Sequence, residues 1–409
     1  MKSYAKLAWA KRITTATHRT KWVEQRRAFA MALATGMMFA GLPSLPAQTF
    51  KVVHTFAGSP EDGAHPYGSL AMDANGNIYG TTFAGGASDA GTVFKVGSKG
   101  KETVRYTFTG GDDGAGPSAG LIEDAKGNLY GTTQAGGSHG FGTVFKVNAS
   151  GKETVLYSFA GGKDGSGPSA GLIRDAKGNL YGTTFAGGAS AAGTVFRVNS
   201  QGKETVLYSF TGGIDGSIPF GGLVSDTAGN LYGTTYEGGT SGMGTVFKLT
   251  KADKETVLHS FAGPEGVLPQ AGLIRDAKGN LYGVASAAGG TGCGGGGCGT
   301  VFKVNSNGKE TTLYHFLGGA DGAGPVESLF MDAKGNLYGT TTAGGGATNA
   351  GTVFKVNRNG KETVLYSFTG GTDGASPQSG LVMDAKGNLF GTASSGGASK
   401  NGTLFKVHP

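Results

Sequence analysis

The chain has 409 residues, 80 of them glycine, with 10% aromatics and only 2 cysteines. That much glycine without a period would indicate disorder, but here the glycines recur at fixed offsets, which marks the turns of a repeat array. The net charge of +7 belongs to residues 1–47, which hold Lys2, Lys6, Lys11, Arg12, Arg19, Lys21, Arg26 and Arg27 against Glu24; the remainder carries 27 basic and 27 acidic side chains, so charge gives no reason to expect nucleic acid or an anionic membrane as partner.

Residues 1–47 read as a secretory signal. A basic region ends at Arg26-Arg27, the apolar run AFAMALATGMMFAGL follows from Ala28 to Leu42, and PSLPA ends at Ala47, a cleavage point before Gln48. The run is shorter than the ~20 residues of a membrane-spanning helix, so cleavage is expected over a retained anchor. Both tryptophans, Trp9 and Trp22, lie in this leader. The expected mature chain is one domain, residues 48–409, exported to the periplasm or beyond the cell.

From there one unit repeats, written most cleanly as GLIRDAKGNLYGTTFAGGASAAGTVFRVNSQGKETVLYSF at residues 171–210. GTVFKV and its variants begin at Gly91, Gly142, Gly193, Gly244, Gly299, Gly351 and Gly402. The DAKGN turn or a near relative begins at Asp73, Asp124, Asp175, Asp226, Asp276, Asp332 and Asp384. Each unit predicts four strands, from GLIRD, NLYGTT, GTVFKV and ETVLYSF, all rich in Val, Leu, Tyr, Phe and Thr and bounded by Gly/Asn/Asp clusters. Two connections are tight glycine turns; the other two are a glycine-rich AGGASDAG-type loop, expected to be flexible, and a GGxDGxxP loop. Antiparallel strands alternate direction, so both long loops belong on one face.

Seven four-stranded units predict an all-β fold, a seven-bladed β-propeller. The ends predict how it closes. TFKVVHTF at 49–56 matches a fourth strand, whereas GTLFKVHP ends on a third strand without its partner. Strand 49–56 is therefore expected to pair with 402–407, leaving no open edge at the seam.

Through GNLYGTT, AGGxxxxGTVFKV and KETVLYSF, the unit resembles the GloVer tandem-repeat family of exported bacterial proteins over essentially everything after residue 48. GNLYG is also similar to strands of NHL-type propellers. The resemblance implies an extracellular repeat protein and brings no catalytic residues with it.

Chemistry is harder to place. A carboxylate recurs in the GGxDGxxP loops at Asp62, Asp113, Asp164, Asp215, Glu265, Asp321 and Asp373. Turn capping accounts for these, because no loop has the dense Asp/Asn spacing of a calcium site; no metal or cofactor is expected. The strict DAKGN aspartates likewise read as turn caps. Cys293 and Cys298, in TGCGGGGCGT, are expected to form a disulfide that pins an enlarged loop. The histidines are scattered, with His54 and His259 at the tyrosine position of the fourth strand, and no catalytic triad follows from spacing.

One position varies where all else repeats. After the loop proline stand Tyr67, Ser118, Ser169, Phe220, Gln270, Val326 and Gln378, expected at the channel mouth and extended by Phe83, Phe141, Phe185, Tyr236, Glu237 and Glu327. Aromatic faces beside amides and carboxylates suit sugars or peptides. The candidate ligand residues are Tyr67, Phe220, Gln270, Gln378, Glu327, Tyr236 and Glu237. The sequence therefore reads as a monomeric, non-catalytic scaffold for a polysaccharide, cell-wall or protein ligand. Two alternatives stand beside it: a carbohydrate-active hydrolase or lyase using Glu237 or Glu327 with a loop histidine, and a purely structural surface protein.

Overall fold

The computed structural model describes residues 48–409, so the expected leader lies outside the described residues. Within them each unit folds as the turn chemistry dictates, into a four-stranded antiparallel meander. The second blade is typical, with strands Ile122–Glu123, Leu129–Thr133, Thr143–Val147 and Glu153–Ser158. Six such blades follow one another, and the seventh is built from Val382–Met383, Leu389–Ser395, Thr403–His408 and, from the other end of the domain, Thr49–Thr55. The seam pairs as expected, antiparallel from Thr49↔His408 to Thr55↔Thr403. Among the described residues no helix is long and apolar enough to cross a membrane.

Radial packing explains the repeat. The last residue of each ETVLYSF run is a phenylalanine that meets, edge to face, the phenylalanine of GTVFKV in the next blade. Phe108 and Phe145 lie 5.1 Å apart at 69°, and Phe56–Phe94 closes the ring at the seam with the same 5.1 Å. Seven such pairs circle the domain, almost wholly buried. Each stabilises the junction by ~0.5–1.5 kcal/mol beyond the area it buries.

Successive side chains of TVFKV face opposite sides of the sheet, yet four of its five residues are buried in the second blade, because a neighbouring blade covers each face. In the fourth strand a bulge interrupts alternation: Val144 pairs with Tyr157 and Phe145 with Val155, leaving Leu156 out of register.

The long loops share one face, as expected, and they are not free. Each GGxDGxxP loop bridges the AGG loop of its own blade, as at Ala115↔Ala135, Ser166↔Ala186 and Val267↔Ala287. The AGG loop then closes on itself through bonds such as Gly142 N–H to Gly136 O, at 2.9 Å. Its glycines supply left-handed backbone to a fixed corner instead of flexibility; Gly142, at φ 97°, also sits where a Cβ would strike the Thr133 carbonyl oxygen at 2.3 Å.

On the opposite face each DAKGN aspartate caps its turn. Asp124 Oδ1 accepts from the N–H groups of Lys126 and Asn128, and Oδ2 accepts from Asn128 Nδ2 and from the Tyr130 hydroxyl at 3.0 Å. Burial raises its pKa, but the bonds from Asn128, Tyr130 and Lys126 outweigh it and hold the carboxyl at about 2.

Candidate functional site

All seven residues that follow the loop prolines converge. Tyr67, Ser118, Ser169, Phe220, Gln270, Val326 and Gln378 line a single cavity of about 610 Å³ at the mouth, on the long-loop face. The local fold requires this: proline ends the long loop and the next residue starts the descent of the innermost strand. Around them stands a second tier from the position after GTT, where Phe83, Gln134 and Thr342 join the lining, with Ser376 from the last blade. Reasoning from sequence missed Gln134, Thr342 and Ser376; comparing the residue after GTT across the units would have found the first two.

Aromatic residues pair across the two tiers. Tyr67 meets Phe83 edge-on at 5.7 Å. Phe220 lies between Phe185 at 5.5 Å and Tyr236 at 5.8 Å. Glu237 stands apart from this group: it is exposed on the rim, beside Gly212, Gly213 and Ile214, and its backbone bridges Ser217. Phe141 is exposed and covers Gly161. The cavity therefore gathers Tyr67, Phe220, Gln270, Gln378 and Glu327, with Tyr236 one ring behind and Glu237 outside.

Below the mouth the channel is ringed by Ser69, Gly120, Gly171, Gly222, Gly272, Ser328 and Gly380. A Cβ on Gly380 would come within 2.4 Å of Ser69 Oγ, and one on Gly120 within 2.9 Å of the Ser69 carbonyl oxygen. The crowding is uneven around the ring, since a Cβ on Gly171 would meet nothing nearer than 3.6 Å.

Glu327 breaks the symmetry just above this ring. Its counterparts are Gly68, Ala119, Ala170, Gly221, Ala271 and Ser379, so a carboxylate extends where the other blades carry little. Oε2 accepts from Ser69 Oγ at 3.3 Å, across the sector of the seventh blade, and from its neighbour's Ser328 N–H at 3.4 Å. Ser69 Oγ in turn accepts from Gly380 N–H at 3.2 Å. Burial pushes the Glu327 carboxyl up to about 7 despite those two bonds, so near neutrality it offers either a proton or a charge.

A second departure falls at the same junction. In most blades the central threonine of the second strand bonds to the residue at Glu327's position one blade on, as Thr81 Oγ does to Ala119 O at 2.9 Å and Thr234 Oγ to Ala271 O at 2.9 Å. The blade before Glu327 has Val284 instead, fully buried and without a hydroxyl to give. Two further hydroxyls at the mouth, Ser118 Oγ and Ser169 Oγ, are buried without a partner.

No histidine among the described residues is hydrogen-bonded to Glu327 or Glu237; His65 Nδ1 is spent on the Ser394 carbonyl oxygen at 3.0 Å. The Cys293–Cys298 disulfide is present, its Cα atoms 5.5 Å apart, in the enlarged loop of the fifth blade.

The loop acids take part in a device the sequence did not reveal. Asp113 caps its turn by accepting from Thr109 N–H, as expected, but it also accepts from the Tyr106 hydroxyl at 2.8 Å. Beside it lies Glu153, which heads the fourth strand of the next blade. Burial, then the nearby Asp113 charge, pushes that carboxyl up to about 7. Glu204, Glu255 and Glu362 repeat the arrangement with Asp164, Asp215 and Asp321. The seam replaces this glutamate with Phe50, which stacks on Tyr366 at 3.7 Å.

The fold defines a seven-bladed β-propeller of near-identical units, one variable position of each facing a common mouth. The chain belongs to the Gloeobacter/Verrucomicrobia repeat family, whose signature matches residues 34–242, 122–296 and 225–409, bearing out the resemblance read from the motifs. No curated protein matches it. Among solved structures it is similar to an extracellular domain from B. thetaiotaomicron, at 14% identity over 88% of this chain and 42% of that one, with a TM-score of 0.56. It is also similar to a gluconolactonase of Xanthomonas campestris, at 14% identity over 88% and 89% of the two chains, with a TM-score of 0.46. At 14% identity the likeness to the extracellular domain speaks for the fold alone, and the likeness to the gluconolactonase carries no argument.

Proposed function

We propose that the protein is an exported binding module that holds a polyhydroxylated ligand, a polysaccharide or cell-wall glycan, in the mouth on its long-loop face. The observation that carries this is the convergence of all seven variable residues on one cavity. Tyr67 and Phe220 offer ring faces, Gln270 and Gln378 offer amides that donate and accept, and Glu327 supplies one carboxyl at the floor. Sugars are recognised by that mixture of aromatic surface and bidentate polar groups. Export rests on the leader's basic and apolar regions and agrees with the disulfide, which oxidising compartments favour.

The test is a thermal-shift and calorimetric screen against soluble oligosaccharides and cell-wall fragments. A saturable response abolished in Tyr67→Ala/Phe220→Ala, with the unliganded melting temperature retained, is the expected result. Absence of any response would leave the repeats themselves as the function, a structural role. Glu327, ionising at about 7, favours one second reading, a general acid in glycoside cleavage. Glu327→Gln separates the two: a binder keeps its ligand with no product in either form, whereas a hydrolase loses turnover.

A further inference from the structure

We propose that His54, Asp62 and Glu102 form a divalent-cation site of the zinc type, which staples the strand that closes the ring to the first blade. One ligand atom from each lies within 4.8 Å of the others. The three come from three segments that the seam must hold together: His54 from closing strand Thr49–Thr55, Asp62 from the loop after it, and Glu102 from the head of strand Glu102–Thr107.

The repeat itself isolates what is special here. Five blades have tyrosine at the His54 position and use its hydroxyl only to donate to the loop aspartate, as Tyr157 does to Asp164 at 2.9 Å. A phenol in that role leaves an aspartate and a glutamate facing each other across the junction. At the seam an imidazole stands in its place, with Nε2 3.1 Å from Asp62 Oδ2. One nitrogen and two carboxylates make a set that zinc accepts, with a fourth position left for water.

The geometry is close to that of a tetrahedral centre. Bonds of ~2.1 Å set ligand atoms ~3.4 Å apart, so His54 and Asp62 already span such an edge and Glu102 has at most about 1.4 Å to close. Glu102 Oε1 is buried and has no hydrogen-bond partner, a property it shares with Glu153, Glu204, Glu255 and Glu362, so the imidazole is what the seam adds. Asp62 is aimed by the N–H groups of Ala57 at 2.7 Å and Gly63 at 2.6 Å, an outer shell of the kind that orients metal ligands. The His54 ring is fixed edge-on to Phe56, 4.8 Å away. Sequence reasoning dismissed a metal here because it looked for a calcium loop, whereas two of these ligands lie outside the loop.

The test is calorimetric titration of the chelator-treated protein with Zn²⁺, with Co²⁺ absorption as a direct report of ligation. One equivalent is expected to bind, with a rise in melting temperature. His54→Tyr restores the residue the other blades use, so it folds with its aspartate bond intact; it should weaken binding at least tenfold, and Glu102→Gln likewise. His259→Tyr, at the other junction with a histidine, should leave binding unchanged. No saturable uptake by the wild type, or undiminished uptake by His54→Tyr, overturns the proposal.

Discussion

Stability should fall as pH rises from 5 to 8, against the usual trend, and four glutamates at the blade junctions set most of the slope. Glu153, Glu204, Glu255 and Glu362 ionise at about 7 in the folded chain and near 4.5 when unfolded. Between those values the folded state holds more protons, so raising pH favours unfolding. Linkage at ~1.4 kcal/mol per pH unit bounds each group at about 3 kcal/mol. The side chains are only half-buried, so solvent screening cuts this to ~0.5–1 kcal/mol each, or ~2–4 kcal/mol for the set. Glu102 and Glu327, which burial also pushes up to about 7, add to the slope, and His259, whose burial holds its imidazole below the usual range, opposes it. Urea unfolding at fixed ionic strength, followed from pH 5 to 8, reads the slope. The quadruple variant Glu153→Gln/Glu204→Gln/Glu255→Gln/Glu362→Gln should reduce it to the part that Glu102 and Glu327 supply. A wild-type curve that is level or rising refutes the reasoning, and so does a variant that keeps the slope.

The remaining predictions concern packing and the acid limit. Phe159→Ala empties one side of a buried edge-to-face pair and should cost ~3–5 kcal/mol in unfolding free energy, read from urea curves. Deleting residues 49–56 removes the closing strand and Phe56 together; a lower melting temperature or self-association by light scattering is expected, and an unchanged monomer would contradict the seam. Cys293→Ser/Cys298→Ser opens a loop of only a few residues, so a loss of no more than ~2 kcal/mol is expected, seen by comparing thermal melts. Below pH 4 the DAKGN turns fail in their turn: Asp124 and Asp226 ionise at about 2, so stability is lost as pH falls from 3.8 through 2, with circular dichroism as the readout.

The architecture was legible because it is written seven times. Strand number, turn positions, the face that carries the loops and the pairing of 49–56 with 402–407 all follow from counting motifs. What stayed hidden depends on neighbours that are distant in sequence. The proximity of Glu153 to Asp113 is a contact across a blade junction, and no periodicity announces it. The mouth was half legible. The tier of Tyr67, Phe220, Gln270 and Gln378 could be named from one variable column, whereas the depth of Glu327 and its bond to Ser69 exist only once the ring has closed. Glu237 lies outside the cavity because its neighbour Tyr236 faces Phe220, and adjacent residues leave an extended chain in opposite directions.

In a repeat this regular, a departure is informative when it meets another departure in space. Glu327 replaces a small residue, Val284 withdraws the threonine bond that should reach Glu327's backbone, and Ser69 replaces a ring glycine to donate to its carboxylate. Two of these changes, from the sixth and first blades, are joined by a hydrogen bond below the mouth, and the third, from the fifth blade, removes a bond at the junction beside them. His54 and Phe50 are likewise paired exceptions within the closing strand, one facing the first blade and the other stacked on the sixth. Independent drift would scatter such exceptions around the ring. Their convergence distinguishes the mouth and the seam from the other blade junctions, and it makes Glu327→Ala the most informative small-residue restoration. Returning that position to the repeat's own alanine should bring its pocket back to the pattern of the other blades, leave the melting temperature equal or higher near pH 7, and weaken whatever the mouth holds. A protein that loses stability and keeps its ligand would mean that the carboxylate serves the fold instead.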